Sequence, residues 1–195
     1  MSRLFNRHVE VFSSIFVTIC TVQYLVVIKL SKNWLNNKRS IATIIAGTGV
    51  SEPESDILSD PQGIFVGSNL DLYVADHNNH RIQLFRLNQR NGTTVVETQS
   101  LTTPTIQLSH PTGVVLDGDQ HIFIVDRDHH RIVASNEYGF RCIFSCTGWG
   151  GGSTGLIFPV SLSFDSYGNI YVSDHDNPRI QKIHFSTQSC GKCQN

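Results

Sequence analysis

Three segments of this chain repeat the same landmark residues at a nearly constant interval, and this repetition restricts the fold more than any other feature. Each copy opens at a proline, places an aspartate fifteen residues later, and places an arginine five residues after that aspartate. Successive copies are 50 and 48 residues apart. The landmarks are Pro61, Asp76 and Arg81, then Pro111, Asp126 and Arg131, then Pro159, Asp174 and Arg179. A repeat of this length is typical of solenoids and propellers, in which neighbouring units bury each other's apolar faces.

Short apolar runs separated by turn residues divide each copy into strands. Ile, Val, Phe and Tyr dominate the runs, and Gly, Asn, Asp and Ser dominate the turns between them. Each copy therefore predicts three strands, and a fourth lies between copies at 93–98 and 141–146, with an equivalent strand at 41–46. Four antiparallel strands at this spacing are typical of a propeller blade. We expect an all-β fold of about three blades over residues 41–185.

The landmarks continue into longer motifs that point to a family. The first copy combines Pro-x-Gly at 61–63, Leu-Tyr-Val-Ala-Asp at 72–76 and Asn-His-Arg-Ile at 79–82, and this combination resembles the NHL repeat. The third copy departs from the pattern with Ser161 and Pro178 at the glycine and histidine positions. The resemblance spans repeats at 59–86, 109–135 and 157–185. It implies part of a six-bladed TolB-like propeller that serves as a protein or RNA binding platform, although some related propellers are enzymes.

The landmark residues are assigned to the fold rather than to a functional site, because a residue that recurs in every blade serves the blade. An aspartate that ends the second strand is predicted to accept backbone N–H groups of the following loop. The arginine five residues later is predicted to bond that carboxylate or a neighbouring blade. The structural set consists of the landmarks above together with Gly63 and Gly113.

Histidines gather in the loops that join the second and third strands. A closed propeller brings these loops to one face, where His80, His130 and His175 are candidate metal ligands because neutral imidazoles bind zinc. The alternative is that His80 and His130 occupy a fixed position of the repeat and pack within the loop. We expect this alternative, and therefore no bound metal and no other cofactor.

Four cysteines follow the first copy, as Cys142 and Cys146 on a predicted strand and Cys190 and Cys193 in the tail at 186–195. Residues four apart on an extended strand are too distant for a disulfide unless the strand bends or bulges. The alternatives are disulfides to the tail, a local distortion that joins the first pair, a structural zinc site with poor spacing, or free thiols. We expect disulfides if the repeats lie outside the cytosol and free thiols otherwise.

Residues 1–40 are predicted to be a membrane anchor or signal-anchor followed by a basic linker. Residues 11–28 carry no charge, and thirteen of these eighteen positions are apolar, which suits one apolar helix across a bilayer. The alternative is a helix or a strand pair of the fold itself. The basic residues after the segment favour repeats in the cytosol. The glycosylation pattern at Asn91, which is also a turn pattern, and the even set of cysteines favour the outside, which we expect for this single-pass protein.

Charge and motifs narrow the function. Residues 41–195 carry 9 basic and 15 acidic side chains, so this part has a net charge of -6 and offers little to nucleic-acid phosphates. We find no nucleophile elbow, phosphate loop or His-Glu-x-x-His motif. The sequence therefore favours a non-enzymatic scaffold for a protein or peptide partner. The alternative is a metal-dependent propeller hydrolase or lyase that uses the histidine loops.

The number of predicted strands bears on ring closure. Twelve strands make three blades, whereas closed propellers have about four to eight. We expect an incomplete ring, completed by a second copy of the chain or by further repeats. Apolar side chains of the end blades, including Val114, Leu162 and Ile170, are then expected to face water.

Overall fold

The computed structural model describes residues 15–19, 25–29, 42–47, 57–97 and 106–184. These residues form four antiparallel sheets, each with its strands in sequence order. The N-terminal sheet contains β1 (Ile15–Ile19), β2 (Leu25–Lys29) and β3 (Ala42–Ala46). The first blade contains β4 (Pro61–Val66), β5 (Leu72–Asp76), β6 (Arg81–Phe85) and β7 (Thr93–Glu97). The second contains β8 (Pro111–Leu116), β9 (Ile122–Asp126), β10 (Arg131–Asn136) and β11 (Gly139–Phe144), and the third contains β12 (Pro159–Phe164), β13 (Ile170–Asp174) and β14 (Arg179–Ile183).

The prediction of an all-β fold built from antiparallel blades is confirmed. The helical residues in the described part of the chain are two single 3-10 turns, His77–Asn79 and Arg127–His129. The first and second copies each form four strands, and the third forms three. The incomplete ring stays a prediction.

Successive residues of a strand point to opposite faces of its sheet. Apolar side chains of one strand therefore pack in turn against the preceding blade and the following blade. Val114 and Ile124 of the second blade pack on Ile82 of the first. Val125 of the same blade points the other way and packs with Leu162 of the third. Each fully buried aliphatic side chain contributes roughly 1.5–3 kcal/mol, so contacts between blades hold the array together.

The expected exposure of Val114, Leu162 and Ile170 is wrong, although Val160 and Ile180 of the third blade are exposed. Leu162 and Ile170 are 6% and 0% exposed, and Val114 of the second blade is 2% exposed, because all three face a neighbouring blade. The outward positions of β12 are instead Ser161 and Ser163, both exposed. The end blade thus differs from the others in the chemistry of its outward face.

The predicted N-terminal helix is corrected where the structure describes that segment. Both β1 and β2 fall in or next to residues 11–28 and pair with each other, and β2 pairs with β3. Their sequences are rich in Ile, Val and Thr, whose branched side chains favour strands. Among the described residues, no helix has the length and apolar character needed to cross a membrane. The other residues of the predicted anchor lie outside the described ranges.

A disulfide joins Cys142 to Cys146, with an S–S distance of 2.10 Å and a Cα–Cα distance of 5.7 Å. A register shift in the pairing of β10 with β11 and the left-handed backbone of Ser145 shorten the path between the two cysteines. Residues four apart can therefore reach each other, as a bulged strand allows. Cys190 and Cys193 lie outside the described residues. Asn91 is exposed in the loop between β6 and β7.

Candidate functional site

The antiparallel order of strands places two sets of loops at opposite ends of the blades. We call the set that joins the second and third strands of each blade the histidine face. It consists of residues 77–80, 127–130 and 175–178. The opposite end, which we call the tyrosine face, consists of the first hairpin turns at 67–71, 117–121 and 165–169 and the turn at 137–138.

Each repeated aspartate on the histidine face is bonded within the fold. The arginine Nε donates to the aspartate Oδ2 at 2.7, 2.7 and 2.9 Å in the three blades, and all three carboxylates have 0% side-chain exposure. The other oxygen, Oδ1, accepts a backbone N–H at 2.7 Å in each blade, from Ser59, Ser109 and Ile157. These N–H groups precede the repeat instead of lying in the following loop. Each aspartate thus holds the segment that precedes its blade against that blade by a hydrogen bond.

The arginines also form hydrogen bonds to the segment that precedes each blade. Their Nη2 atoms donate to backbone carbonyls at Ile57, Gln107 and Gly155, at 3.0, 2.7 and 2.7 Å. Buried charges are stable when each is paired and its remaining hydrogen-bonding atoms are satisfied. The geometry gives these residues a structural role and leaves little of their bonding capacity for a ligand.

The two repeat histidines link neighbouring blades. The Nδ1 atom of His80 accepts the backbone N–H of His110 at 3.0 Å, and that of His130 accepts the N–H of Phe158 at 3.0 Å. Each imidazole also lies edge-on to the ring of the residue that donates to it. Since Nδ1 is the acceptor, each bonded ring carries no proton on that atom. In the third blade Pro178 occupies this position and provides no such acceptor.

Acidification is expected to weaken the link at His80. Burial lowers the pKa of His80, the imidazoles of His110 and His77 lower it further, and Asp128 and Asp126 oppose this shift. Because the folded state favours the neutral ring, its stabilisation is present above pH about 6.5 and is lost as the pH falls towards the lowered pKa. The free energy of unfolding, measured in urea between pH 7 and pH 5, should fall more steeply for the wild type than for His80→Asn. Equal slopes would contradict the prediction.

The candidate ligands His80, His130 and His175 do not form a set of metal ligands. The rings of His77 and His80 both contact His110, but the Nδ1 atoms of His80 and His110 are occupied, the latter by Asp128 at 2.8 Å. His175 is exposed next to Asp176. Among the described residues, one group of three brings its ligand atoms within 4.8 Å of one another, namely Asp117, Asp119 and His121.

That group is part of a hairpin turn. The Oδ1 atom of Asp117 accepts the backbone N–H groups of Asp119 and His121 at 2.9 and 2.8 Å. Asp165 accepts the N–H groups of Tyr167 and Asn169 in the same way, at 2.9 Å each. Aspartates commonly stabilise turns in this manner. The arrangement is therefore shared by two blades.

The tyrosine face contains a cleft of about 620 Å³ between the second and third blades. Phe123 and Phe164 meet edge to face at 4.9 Å within it, and Ile143 adds to its apolar wall. The polar part of the lining consists mainly of Asp117, His121, Ser135, Asn136, Arg141, Asp165 and Ser166. Binding clefts commonly combine an apolar wall with polar groups in this way.

Two exposed tyrosines stand beside this cleft. Tyr138 and Tyr167 are 81% and 90% exposed, and Tyr167 lies between Ser166 and Gly168, which both line the cleft. The hydrogen bond from the Asn169 side chain is the largest of several effects that lower the pKa of Asp165 to about 2, so this carboxylate stays charged. The backbone N–H of Tyr167 is one of its donors, which fixes the turn that carries the ring.

Sequence reasoning missed the two tyrosines because they belong to no repeated motif. The available signal was a large aromatic residue in a tight turn, at Tyr138 before Gly139 and at Tyr167 before Gly168. Turn positions usually carry small polar residues, glycine or proline. A tyrosine in each of two turns at the same end of neighbouring blades indicates a use beyond the turn.

Comparisons with known proteins agree with this architecture. The model of the NHL repeat family matches residues 58–85 and 108–134, which lie in the first and second blades. A search of curated proteins gives no match. Three solved structures illustrate the likeness of fold, and at 11–17% identity they show the fold alone.

A protein of unknown function from Bacteroides thetaiotaomicron aligns with a TM-score of 0.62 and 11% identity, over 87% of this chain and 44% of that one. A structure of a nidogen/laminin complex aligns with a TM-score of 0.53 and 17% identity, over 86% and 59%. Catalytically inactive virginiamycin B lyase from Staphylococcus aureus, solved with quinupristin, aligns with a TM-score of 0.51 and 11% identity, over 90% and 57%. The chain thus spans about half the length of these proteins.

Proposed function

Since this chain belongs to the NHL-repeat β-propeller family, we propose that it is a non-enzymatic scaffold that binds a protein or peptide partner. The observation that carries the proposal is the cleft between the second and third blades, with Tyr138 and Tyr167 exposed beside it. Tyrosine is enriched in protein interfaces because it combines a large apolar ring with a hydrogen-bonding hydroxyl. A partner that seats an apolar side chain in the cleft lies next to Tyr167, whose two neighbours in the chain line the cleft.

The charges of the cleft indicate what the partner carries. Asp117 and Asp165 line it and Glu137 lies in the neighbouring turn, against Arg141 in the lining and Lys182, whose Nζ lies 3.6 Å from Asp165 Oδ2. A partner segment with a basic residue next to an apolar one complements this surface. The alignment with a structure of nidogen and laminin supports a protein partner by analogy of fold, which is a weaker argument than the site itself.

Replacing both tyrosines should weaken the partner's binding about tenfold or more, because interface energy is concentrated in a few aromatic residues. The full chain, the variant Tyr138→Ser/Tyr167→Ser and a control with Leu87→Ser are immobilised, and retained proteins are compared quantitatively. Leu87 is 53% exposed in another loop. A protein retained by wild type and control but lost from the double variant is then titrated for affinity. Equal retention by all three forms would refute the proposed site.

A metal-dependent hydrolase or lyase is the second candidate. It is favoured by the contact of His77, His80 and His110 next to Asp128, and by the alignment of the fold with virginiamycin B lyase. The Nδ1 atom of His80 opposes it, because it accepts the His110 N–H, so the neutral ring carries its proton on Nε2 and offers no free nitrogen to a metal.

Purified protein should therefore retain no stoichiometric zinc or calcium after dialysis, as measured by elemental analysis. The group of Asp117, Asp119 and His121 should also fail to retain calcium, because three ligands are far fewer than the roughly six to eight oxygens that calcium takes. About one metal ion per wild-type chain, absent from a His80→Asn/His110→Asn variant, would instead favour the enzyme.

We further propose that the repeats lie outside the cytosol. The Cys142–Cys146 disulfide supports this placement, because such bonds persist in oxidising compartments. The exposed glycosylation pattern at Asn91 is compatible with it.

A further inference from the structure

Arg141 lines the tyrosine-face cleft with a charge that the fold does not use. It lies on β11 and is exposed. Within the described part of the chain, its guanidinium forms no ion pair and no hydrogen bond. The arginines of the histidine face, in contrast, are paired, as Arg131 is with Asp126. Arg141 thus keeps its planar set of donors for a molecule that enters the cleft.

The position of Arg141 in its blade indicates a role outside the repeat. The residue opposite it in the pairing of β10 with β11 is Ala134. The equivalent pair of the first blade is Leu84 and Thr93, so a threonine takes the place of the arginine there. A residue that the blade requires would recur at this position, as the Asp–Arg pairs do. We therefore assign the arginine to one cleft rather than to the fold.

The strand that carries Arg141 is held in place by the fold itself. β11 pairs with β10, and the disulfide between Cys142 and Cys146 closes the bend at the end of β11. Ile143, two residues after Arg141, lines the same cleft. The guanidinium and part of the apolar wall thus lie on one fixed segment, so a ligand that uses both has little ordering cost to offset.

The carboxylates that line the cleft already have hydrogen-bond partners. Asp117 Oδ1 accepts two backbone N–H groups of its turn, and Asp117 Oδ2 lies 3.0 Å from His121 Nδ1. Asp165 accepts two backbone N–H groups of its own turn and the side-chain amide of Asn169. These carboxylates attract a cation at longer range, whereas Arg141 has donors free for direct bonds to an anion.

A charged group next to an apolar wall restricts the kind of ligand. A guanidinium binds a carboxylate through two parallel hydrogen bonds. The apolar wall, where Phe123 meets Phe164, lies in the same cleft and suits an aliphatic or aromatic side chain. The last residue of a protein chain carries a carboxylate and a side chain on one Cα atom. An apolar C-terminal residue therefore supplies both groups at once.

We propose that the tyrosine-face cleft binds the C-terminus of the partner protein. The terminal carboxylate bonds Arg141, and the side chain of the last residue, which is apolar, packs against Phe123 and Phe164. A basic residue directly before it complements Asp165 and Glu137 and offsets their repulsion of the carboxylate. The inference rests on the proposed scaffold function and deepens it, because it specifies that the partner presents a chain end.

The test uses the full chain and a peptide labelled with fluorescein at its amino end, Gly-Ser-Gly-Lys-Phe, made as the free acid and as the amide. We expect saturable binding of the free acid by fluorescence anisotropy. The amide should bind at least about fivefold more weakly, because it loses a charge-assisted pair of hydrogen bonds. A free acid extended by Gly-Ser after the phenylalanine should bind as weakly as the amide, since its carboxylate is displaced from the apolar side chain.

Protein variants test whether the guanidinium causes this preference. Arg141→Met should bind the free acid and the amide equally, both as weakly as the wild type binds the amide. Arg90→Met is the matched control, because Arg90 is exposed in the β6–β7 loop and its loss changes the net charge by the same amount. This control should keep the wild-type preference. Unfolding midpoints in urea check that both variants fold, and the comparison of peptides involves no change to the protein.

Three results would each overturn the inference: no saturable binding of the free acid, a preference for the free acid below about twofold, or an unchanged preference in Arg141→Met. A protein retained by the wild type and lost from Tyr138→Ser/Tyr167→Ser would then still support the scaffold, with an internal segment of the partner as the ligand. Equal retention by these two forms, together with a preference that depends on Arg141, would instead refute the tyrosine site and support the carboxylate site.

Discussion

Replacing Asp126 with alanine should lower the free energy of unfolding by about 3–5 kcal/mol, because it removes a fully buried carboxylate and leaves the half-buried Arg131 without its counter-charge. Asp126 has 0% side-chain exposure and accepts hydrogen bonds from Arg131 Nε and from the Ser109 N–H, both at 2.7 Å. Removing the carboxylate leaves the guanidinium largely desolvated and the N–H without its acceptor. Both losses act at the junction between the first and second blades.

Urea unfolding followed by circular dichroism measures this effect, with Asp119→Ala as the matched control. Asp119 is exposed in the β8–β9 turn and should change stability by no more than about 0.5 kcal/mol. The double variant Asp126→Ala/Arg131→Met should lose less than the sum of the two single variants, since it leaves no unpaired charge. A loss below about 1 kcal/mol for Asp126→Ala would contradict the buried pair.

Replacing Gly63 with alanine should destabilise the protein by about 3 kcal/mol, at the upper end of the usual cost of overpacking. A Cβ atom at this position would lie 2.4 Å from the Thr112 carbonyl oxygen and 2.8 Å from the Gly113 Cα. Both obstacles are backbone atoms of the inner strand of the next blade. Relief therefore requires the two blades to move apart, which also loosens the apolar contacts between them.

Gly118→Ala is the matched control for this prediction. A Cβ at Gly118 meets nothing within 4 Å, so the same substitution should change the unfolding midpoint in urea little. Equal midpoints for Gly63→Ala and Gly118→Ala would show that the inner strands tolerate separation. The third copy has Ser161 at this position, and Ser161 is exposed.

The repeated motifs predicted the fold because their spacing reflects antiparallel pairing. Asp76 ends one strand and Arg81 begins the next, and the register places the two residues directly opposite each other. A local contact of this kind follows from strand ends and turn length alone. The same reasoning accounts for the all-β class and for the turns that separate the strands.

Contacts between blades could not be predicted in the same way, because the residues that form them are far apart in the sequence. The bond from the His110 N–H to His80 spans 30 residues and depends on how two sheets lie against each other. The cleft beside Tyr167 likewise arises from two blades. Residues 15–19 and 25–29 form strands where a helix was predicted, because a run of apolar residues satisfies the requirements of a membrane helix and of paired strands alike.

The bonds of the repeated aspartates and arginines shift the folding unit away from the sequence repeat. The repeat opens at Pro61 or Pro111. The backbone atoms that each Asp–Arg pair hydrogen-bonds lie earlier, at residues 57–59 and 107–109. A chain cut at the proline would separate every blade from the segment that closes it. Boundaries for dissecting or shuffling the blades therefore belong in the connections that precede these segments, several residues ahead of the motif that defines the repeat.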